Sequence, residues 1–268
     1  MKLLNFVPST TGEILLQFIL RELYQAHSLT EIQSLSILSF GGRTDFFSEY
    51  FLGISALNTL TRCIKKAERI RGIDDETLRH PLMVTYIQDA LGIARQGDQA
   101  VYQLARLSLQ AAADSKRPIK DSVKKTLRNG LDELPCYICS GMCRHRSSDE
   151  KEAIEYEHLW PASFGGNSIV ENILPACWAC NKAKDDMLLW HTGHLFSFVL
   201  KPDPSQEELK SISRREKIAR HMRSIFDRAC EDRISLKTAA IAIGAADMNS
   251  IYAIDSSDAM DFSNIQFR

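Results

Sequence analysis

Two Cys-x-x-Cys pairs are the residues of this chain whose types and spacing most clearly predict chemistry. Cys136 and Cys139 form the first pair, and Cys177 and Cys180 form the second. A single pair also occurs in redox proteins, but two pairs at one short separation predict four thiolates around one tetrahedral Zn2+ ion. Because four protein ligands leave no position for water, we expect one structural zinc ion per chain.

Two further residues of the same stretch are alternative zinc ligands. Cys143 follows the first cysteine pair closely, and His145 lies just beyond it. Either could replace one of the regular four, since zinc accepts both thiolate and imidazole ligands. The chain between the two pairs has few apolar residues, so we expect the metal to supply folding energy directly.

Polar residues that suit phosphodiester hydrolysis lie between and beside these cysteines. Glu157 and the amide of Asn181 offer the oxygen ligands that a hard catalytic ion such as Mg2+ or Mn2+ prefers. His158 has an ordinary pKa near neutrality, which suits a general base that takes a proton from the attacking water. Asn172 can hydrogen-bond the backbone across the loop and thereby fix the histidine. Together these residues predict hydrolysis assisted by one catalytic metal ion.

The pattern around these residues predicts a strand, a loop, a second strand and a helix. Residues 153–158 alternate apolar and polar side chains, which is typical of a strand. Pro161 and the Gly165-Gly166 pair predict a turn, after which residues 171–174 can return as the second strand. The chain from Trp178 onward has helical spacing. The predicted zinc therefore joins the two ends of this unit.

The motif that these residues form resembles that of the HNH endonuclease family, the ββα-metal nucleases of the zinc-bound kind. It lies within residues 136–190 and has the order Glu157-His158-x-x-Pro161, Gly165-Gly166, Asn172 and Cys177-x-x-Cys180-Asn181-x-x-Lys184. The resemblance implies that His158 is the general base, that Asn172 fixes the loop, and that Asn181 helps to bind the catalytic metal. The family usually has Asp before the base, where this chain has Glu157. The resemblance also implies cleavage or nicking of double-stranded DNA that leaves 5′-phosphate ends.

Two basic segments flank this motif, at residues 116–128 and 210–228. In each of them Lys and Arg greatly outnumber Asp and Glu. Such segments are often only solvated helix faces, but beside a nuclease motif they predict contacts to backbone phosphates. The residues expected to make nucleic-acid contacts are Lys120, Lys124, Arg128, Lys184, Arg214 and Arg220.

The rest of the chain predicts a mainly α-helical protein. Apolar residues recur at three- and four-residue steps, and Gly, Pro and capping residues separate the helical segments. Helices are expected near residues 14–24, 30–40, 45–71, 75–95, 98–114, 118–128, 205–228 and 235–245, with a kink or a later start at Pro81. The predicted domains are an all-α helical domain at 1–130, a zinc-stabilised HNH module at 131–195, basic C-terminal helices at 196–246, and an acidic, weakly ordered tail at 247–268.

Composition limits the classes of function. The 268 residues include 33 Lys and Arg against 34 Asp and Glu, so net charge alone does not indicate a nucleic-acid binder, and any basic surface must be local. The seven cysteines do not form a secreted disulfide framework, which favours a reducing cytosol. We find no convincing targeting segment and no apolar run long enough to span a bilayer, so a cytoplasmic location without a membrane is expected.

The leading hypothesis is a divalent-metal-dependent HNH endonuclease that acts on DNA. One alternative is an RNA-directed nuclease, which would share every catalytic residue. Another is a catalytically inactive, zinc-stabilised nucleic-acid-binding or adaptor module, which would keep only the zinc-bound fold. A helical domain joined to an HNH module resembles effector subunits of anti-phage defence systems. We therefore expect a protein partner, or a homo-oligomer, formed through the helical N-terminal domain.

Overall fold

A computed structural model describes residues 5–23, 44–93, 98–188 and 205–249. These residues are mainly α-helical and include two short antiparallel β-ribbons. No helix among them is long and apolar enough to cross a membrane. The helix predicted at 30–40 lies outside the described residues, as does the predicted tail from residue 250 onward.

Four helices of the N-terminal half lie where the sequence predicted helices. They are α1 (Thr11–Glu22), α2 (Thr44–Arg71), α3 (Glu76–Leu91) and α4 (Asp98–Ser115). A capping box begins α1, in which the hydroxyl of Thr10 accepts from the Glu13 amide and the Glu13 carboxylate accepts from the Thr10 amide. Helix α3 begins after its N-cap Asp75 and runs through Pro81 to Leu91, so the later start that Pro81 suggested does not occur.

The apolar faces of these helices form a core that continues into the centre of the chain. Leu15, Leu60 and Leu104 are fully buried where α1, α2 and α4 meet. The same hydrophobic cluster includes Leu159 and Trp160, which follow the motif histidine. Each fully buried side chain of this size contributes about 1.5–3 kcal/mol to stability. The helical half therefore supports the chain that carries the motif.

The centre of the chain has the predicted order of strand, loop, strand and helix, and it is preceded by the helix that the sequence predicted between Pro118 and Asn129. A short helix, α5 (Asp121–Arg128), ends at Asn129 in the left-handed region. The remaining elements are β1 (Glu133–Pro135), β2 (Met142–Arg144), β3 (Glu155–His158), β4 (Ile173–Ala176) and α6 (Trp178–Lys184). Strands β3 and β4 pair antiparallel, with His158 opposite Ile173, whereas the β1–β2 ribbon was missed.

Two C-terminal helices pack behind this unit. They are α7 (Gln206–Asp232), which contacts α6, and α8 (Leu236–Ile243), which contacts α7. The apolar side of α7 is buried at Ile218, Met222 and Ile225. From α8, the Lys237 ammonium donates to the carbonyls of Val170 and, at 3.0 Å, Ile173. The C-terminal helices thus hold the chain that enters β4.

The start of α1 packs against the loop between β3 and β4 and forms a hydrogen bond with it. The Gly12 amide donates to the Gly165 carbonyl over 2.9 Å. A Cβ atom at Gly12 would lie only 2.1 Å from the Phe164 carbonyl oxygen, so no larger residue fits there without displacing the loop. The Trp160 indole N–H also donates to that oxygen, at 2.8 Å. The loop is therefore a fixed part of the interior.

Candidate metal centre and polar site

Four cysteine thiols converge at one end of the central unit. The sulfur atoms of Cys136, Cys139, Cys177 and Cys180 all lie within 4.8 Å of one another. The Sγ atoms of Cys139 and Cys177 are 3.8 Å apart, too far for a disulfide. Tetrahedral zinc with Zn–S bonds of about 2.3 Å requires sulfur atoms about 3.8 Å apart. The cluster therefore has the dimensions of a site for a metal ion such as zinc.

Hydrogen bonds among the four thiols shift their pKa values in different directions. A hydrogen bond with Cys136 lowers the pKa of Cys139 to about 7 and also lowers the pKa of Cys177. The same network raises the pKa of Cys136 and Cys180 above that of an ordinary thiol. A bound cation would take all four as thiolates, so its binding would release protons.

Cys143, the alternative ligand, lies outside the cluster. It is fully buried on β2, and its thiol donates to the Gly141 carbonyl at 3.5 Å. Burial raises the pKa of the Cys143 thiol to about 11, which favours the neutral form over the thiolate that binds metal. His145, the other alternative, is also absent from the group of ligand atoms that converge.

The backbone of both cysteine turns supports the cluster. The Cys136 amide donates to the Gly141 carbonyl at 2.8 Å, and Ser140 turns the chain back in the left-handed region at a φ of 57°. Cys177 is the N-cap of α6, which places Cys180 in the first turn of that helix. The β1–β2 ribbon carries the first pair, and the end of β4 presents the second.

Side chains of β3 alternate between two surroundings, as expected for a strand. Glu155 and Glu157 meet residues of α6, whereas Tyr156 meets α5, where Lys124 Nζ lies 5.8 Å from the centre of its ring. His158 meets the loop that follows β3, at Ser168. The strand therefore has an acidic side next to α6 and an aromatic side next to α5.

Asn181 contacts a carboxylate that was not predicted to belong to the site. Its Nδ2 group donates to the Glu155 carboxylate in a short hydrogen bond. Both side chains are partly exposed, and together they offer a carboxylate oxygen and an amide oxygen to a cation. That donor set fits a hard divalent ion, which binds one or two protein oxygens and completes its shell with water and phosphate.

Glu157, predicted to bind the catalytic metal, is paired with a lysine instead. Lys184 is only 1% exposed, and its Nζ lies 2.6 Å from Glu157 Oε1 and 2.9 Å from the His158 carbonyl oxygen. Burial raises the pKa of Glu157, and the Lys184 ammonium opposes that shift. Removing one partner of such a pair leaves an uncompensated buried charge. Lys184, which was predicted to contact nucleic acid, is thus buried and faces Glu157.

His158 is half-buried at the end of β3. Burial, and next the nearby Lys184 ammonium, lower the pKa of His158 to about 4, so the imidazole is neutral near pH 7. A neutral ring has one nitrogen ready to accept a proton, as a general base requires. No hydrogen bond between described residues joins the His158 side chain to Glu155, Glu157 or Asn181.

Asn172 lies where a loop-fixing residue is needed. It is 2% exposed, and its Oδ1 accepts from the Trp160 amide at 2.7 Å. Its Nδ2 donates to the carbonyls of Trp160 and Asn167, at 2.9 and 3.0 Å. The Leu159 amide also donates to the Asn172 carbonyl at 2.8 Å. These bonds join the chain after His158 to the start of β4, as the sequence predicted.

The other residues predicted to contact nucleic acid lie in two places. Lys120 is exposed immediately before α5, and Lys124 and Arg128 lie beside Tyr156 on the aromatic side of β3. On α7, Arg220 is half-buried, and Arg214 Nη1 donates to Cys180 Sγ at 3.8 Å. The α5 group thus flanks the strand of His158, whereas Arg214 is directed to the cysteine cluster.

Sequence reasoning missed two residues of the polar site. Glu155 could have been found, because strand alternation puts residues two apart on one side, and Glu157 was already a candidate. Ser168 has no comparable signal, since nothing local distinguishes this loop serine from others. No protein-family model, curated protein or solved structure matches the chain.

Proposed function

We propose that the chain is a divalent-metal-dependent endonuclease of the HNH kind that hydrolyses DNA phosphodiester bonds. One arrangement carries the proposal: the strand that ends at the neutral imidazole of His158 also carries Glu155, whose carboxylate pairs with the Asn181 amide, and the same unit holds the four-thiol cluster. A lone histidine or a lone carboxylate–amide pair would not indicate catalysis. Their order in the chain, inside one ββα unit, supports a catalytic interpretation.

In this proposal the four cysteines hold a structural zinc. The Cys136 turn and the Cys177 turn belong to different ribbons, so one ion bound by both would fix β1–β2 against β4 and α6. With four sulfur ligands no open position is left for substrate or water. The cluster therefore frames the site without taking part in the chemistry. None of the seven cysteines forms a disulfide, which also fits a reducing, cytoplasmic setting.

The base in this proposal is His158, which accepts a proton from the attacking water. Its lowered pKa keeps the ring neutral near pH 7, and the hydrogen bonds of Asn172 hold the backbone directly after it. Glu155 and Asn181 are the residues that would hold the catalytic Mg2+ or Mn2+ ion. When bound, such an ion stabilises negative charge on the phosphate and on the leaving oxygen.

A nucleic acid is the substrate class that the surroundings of the site favour, and DNA is the nucleic acid that the resemblance implies. Lys124 lies over Tyr156 on the α5 side of β3, and Lys120 is exposed at the start of α5, so both can contact backbone phosphates. Near-neutral net charge limits non-specific affinity, which supports recruitment by a protein partner, as in an anti-phage effector. RNA remains the other substrate class, because phosphate contacts do not distinguish the two.

A cleavage assay tests the proposal. Purified chain is incubated with supercoiled plasmid, and separately with structured RNA, in Mg2+, in Mn2+ and in excess chelator. We expect metal-dependent nicking or cutting that falls at least about 100-fold in His158→Ala, the usual loss when a general base is removed. His80→Ala is the matched control, because His80 is a partly exposed histidine on α3 that stacks on Tyr102. Equal cleavage by His158→Ala and wild type would refute the assignment.

A second candidate function is a zinc-stabilised nucleic-acid-binding module without catalysis. The observation that favours it is the Lys184–Glu157 pair, which occupies the carboxylate next to the histidine. If this alternative holds, the chain binds DNA with the same salt dependence in wild type and His158→Ala, and neither protein cuts in any metal. Cleavage that is lost only in His158→Ala rules this candidate out.

A further inference from the structure

The imidazole of His158 is joined to the N-terminal helices by two consecutive hydrogen bonds. Its Nε2 atom lies 3.0 Å from Ser168 Oγ. That hydroxyl in turn donates to the Arg117 carbonyl over 2.6 Å. Arg117 follows the end of α4, so the two bonds connect the loop between β3 and β4 to the helical half of the chain.

The direction of these bonds determines which ring nitrogen carries a proton. A hydroxyl has one proton, and a carbonyl oxygen can only accept, so the Ser168 proton is committed to Arg117. Ser168 can then only accept from His158, which requires a proton on Nε2. A neutral ring protonated at Nε2 has its lone pair on Nδ1. No described residue forms a hydrogen bond with that second nitrogen.

The Arg117 carbonyl is held in place by contacts around Asp114. Arg117 Nη1 lies 3.1 Å from Asp114 Oδ1, and the Thr11 hydroxyl donates to Asp114 Oδ2 at 2.8 Å. The Thr11 amide donates to Asn167 Oδ1, also at 2.8 Å. Because Asn167 immediately precedes Ser168, the start of α1 and the end of α4 fix the serine from both sides.

We propose that Ser168 is a positioning residue that holds His158 protonated at Nε2 and leaves Nδ1 to accept the proton of the attacking water. The catalytic meaning of this inference rests on the proposed nuclease function, whereas the hydrogen bond does not. The N-terminal helices then orient the base through the Arg117 carbonyl, in addition to packing against the loop.

Nitrogen-15 NMR of the full chain, labelled at histidine, tests the inference without any substrate. The His158 signals are identified by their absence in His158→Gln. We expect wild type near pH 7.5 to show a proton on Nε2 that exchanges slowly enough with water to be observed, and an unprotonated Nδ1. Ser168→Ala should lose that slowly exchanging proton, and Ser168→Thr, which keeps the hydroxyl, should retain it. A proton on Nδ1 in wild type, or an unchanged Nε2 proton in Ser168→Ala, would overturn the inference.

Kinetics separate this inference from the proposed function. Loss of one hydrogen bond that orients the base should lower kcat about 5- to 30-fold with KM nearly unchanged, and Ser168→Thr should recover most of it. Ser224→Ala is the matched control, because that hydroxyl also donates to a backbone carbonyl, far along α7. If NMR gives the expected protonation but no nucleic acid is cut, the nuclease function fails and the positioning contact stands. If cleavage is normal in a folded Ser168→Ala, the positioning role fails and the nuclease stands.

Discussion

The cysteine end and the histidine end of the ββα unit are built in different ways. At the cysteine end all four ligands come from two tight turns, and their thiols converge on one point. At the histidine end three polar side chains of β3 have their partners on other elements: Glu155 and Glu157 on α6, and His158 in the loop. Residue spacing in the sequence therefore predicts the cysteine cluster, whereas the pairs at the histidine end depend on how distant elements pack in the fold.

The largest expected effect is at the cysteine end. Cys177→Ser should abolish zinc binding and unfold the central unit, because apparent binding energies of structural zinc are about 10–16 kcal/mol and appear directly in folding. Elemental analysis and circular dichroism measure the two losses. Cys143→Ala is the matched control, since that thiol is buried nearby but lies outside the cluster. A Cys177→Ser protein that is folded without bound zinc would show that the metal is not needed for the frame.

A smaller but still severe effect is expected at the buried ion pair. Lys184→Met leaves the Glu157 carboxylate buried without its partner, which should cost about 3–5 kcal/mol in the free energy of unfolding near pH 7. Chemical denaturation measures this loss. The double variant Lys184→Met with Glu157→Gln removes the stranded charge and should recover part of the stability. If the single variant is as stable as wild type, the pair does not hold α6 against β3.

The pH dependence of stability provides a third comparison. The pKa of His158 is lowered to about 4 in the folded chain, whereas an unfolded histidine titrates near 6.5. Between these values the unfolded state binds more protons, so the folded state loses stability as pH falls. The free energy of unfolding changes by at most about 1.4 kcal/mol per pH unit through this group. Solvent around the half-buried ring reduces that slope.

Urea unfolding of wild type and His158→Gln between pH 4.5 and 7 isolates this contribution. The variant should lose stability less steeply as pH falls. His221, whose pKa burial also lowers, and the cysteine thiols remain in both proteins and cancel in the difference. Parallel curves for the two proteins would mean that the His158 ring is not desolvated in solution.

The smallest effect is expected on nucleic-acid affinity. Lys120→Gln should reduce the slope of log affinity against log salt by about one, if Lys120 contacts one phosphate. Fluorescence anisotropy with a DNA duplex across a salt series measures it. Lys151→Gln is the matched control, because Lys151 is also exposed but lies on the loop between β2 and β3 and was not predicted to contact nucleic acid. An equal change in both variants would indicate general charge attraction rather than a contact at α5.

In the part of the chain that the structure describes, the sequence was sufficient for the helices, the ββα order and the two Cys-x-x-Cys turns, because each depends on residues close together in the chain. It was insufficient for Lys184, which has the spacing of an exposed helix residue but is buried against β3. The motif predicted the metal-binding carboxylate at Glu157, next to the predicted base, and did not indicate that Asn181 would form a hydrogen bond with Glu155. Such pairings depend on the relative rotation of a strand and a helix, which no local pattern encodes.

The division of labour between the two ends is tested most directly by measuring zinc content and DNA cleavage on the same preparation of His158→Ala. The account predicts one zinc ion per chain, a melting temperature close to that of wild type, and cleavage lower by at least about 100-fold. A folded, zinc-loaded His158→Ala protein that cuts plasmid as fast as wild type would contradict it.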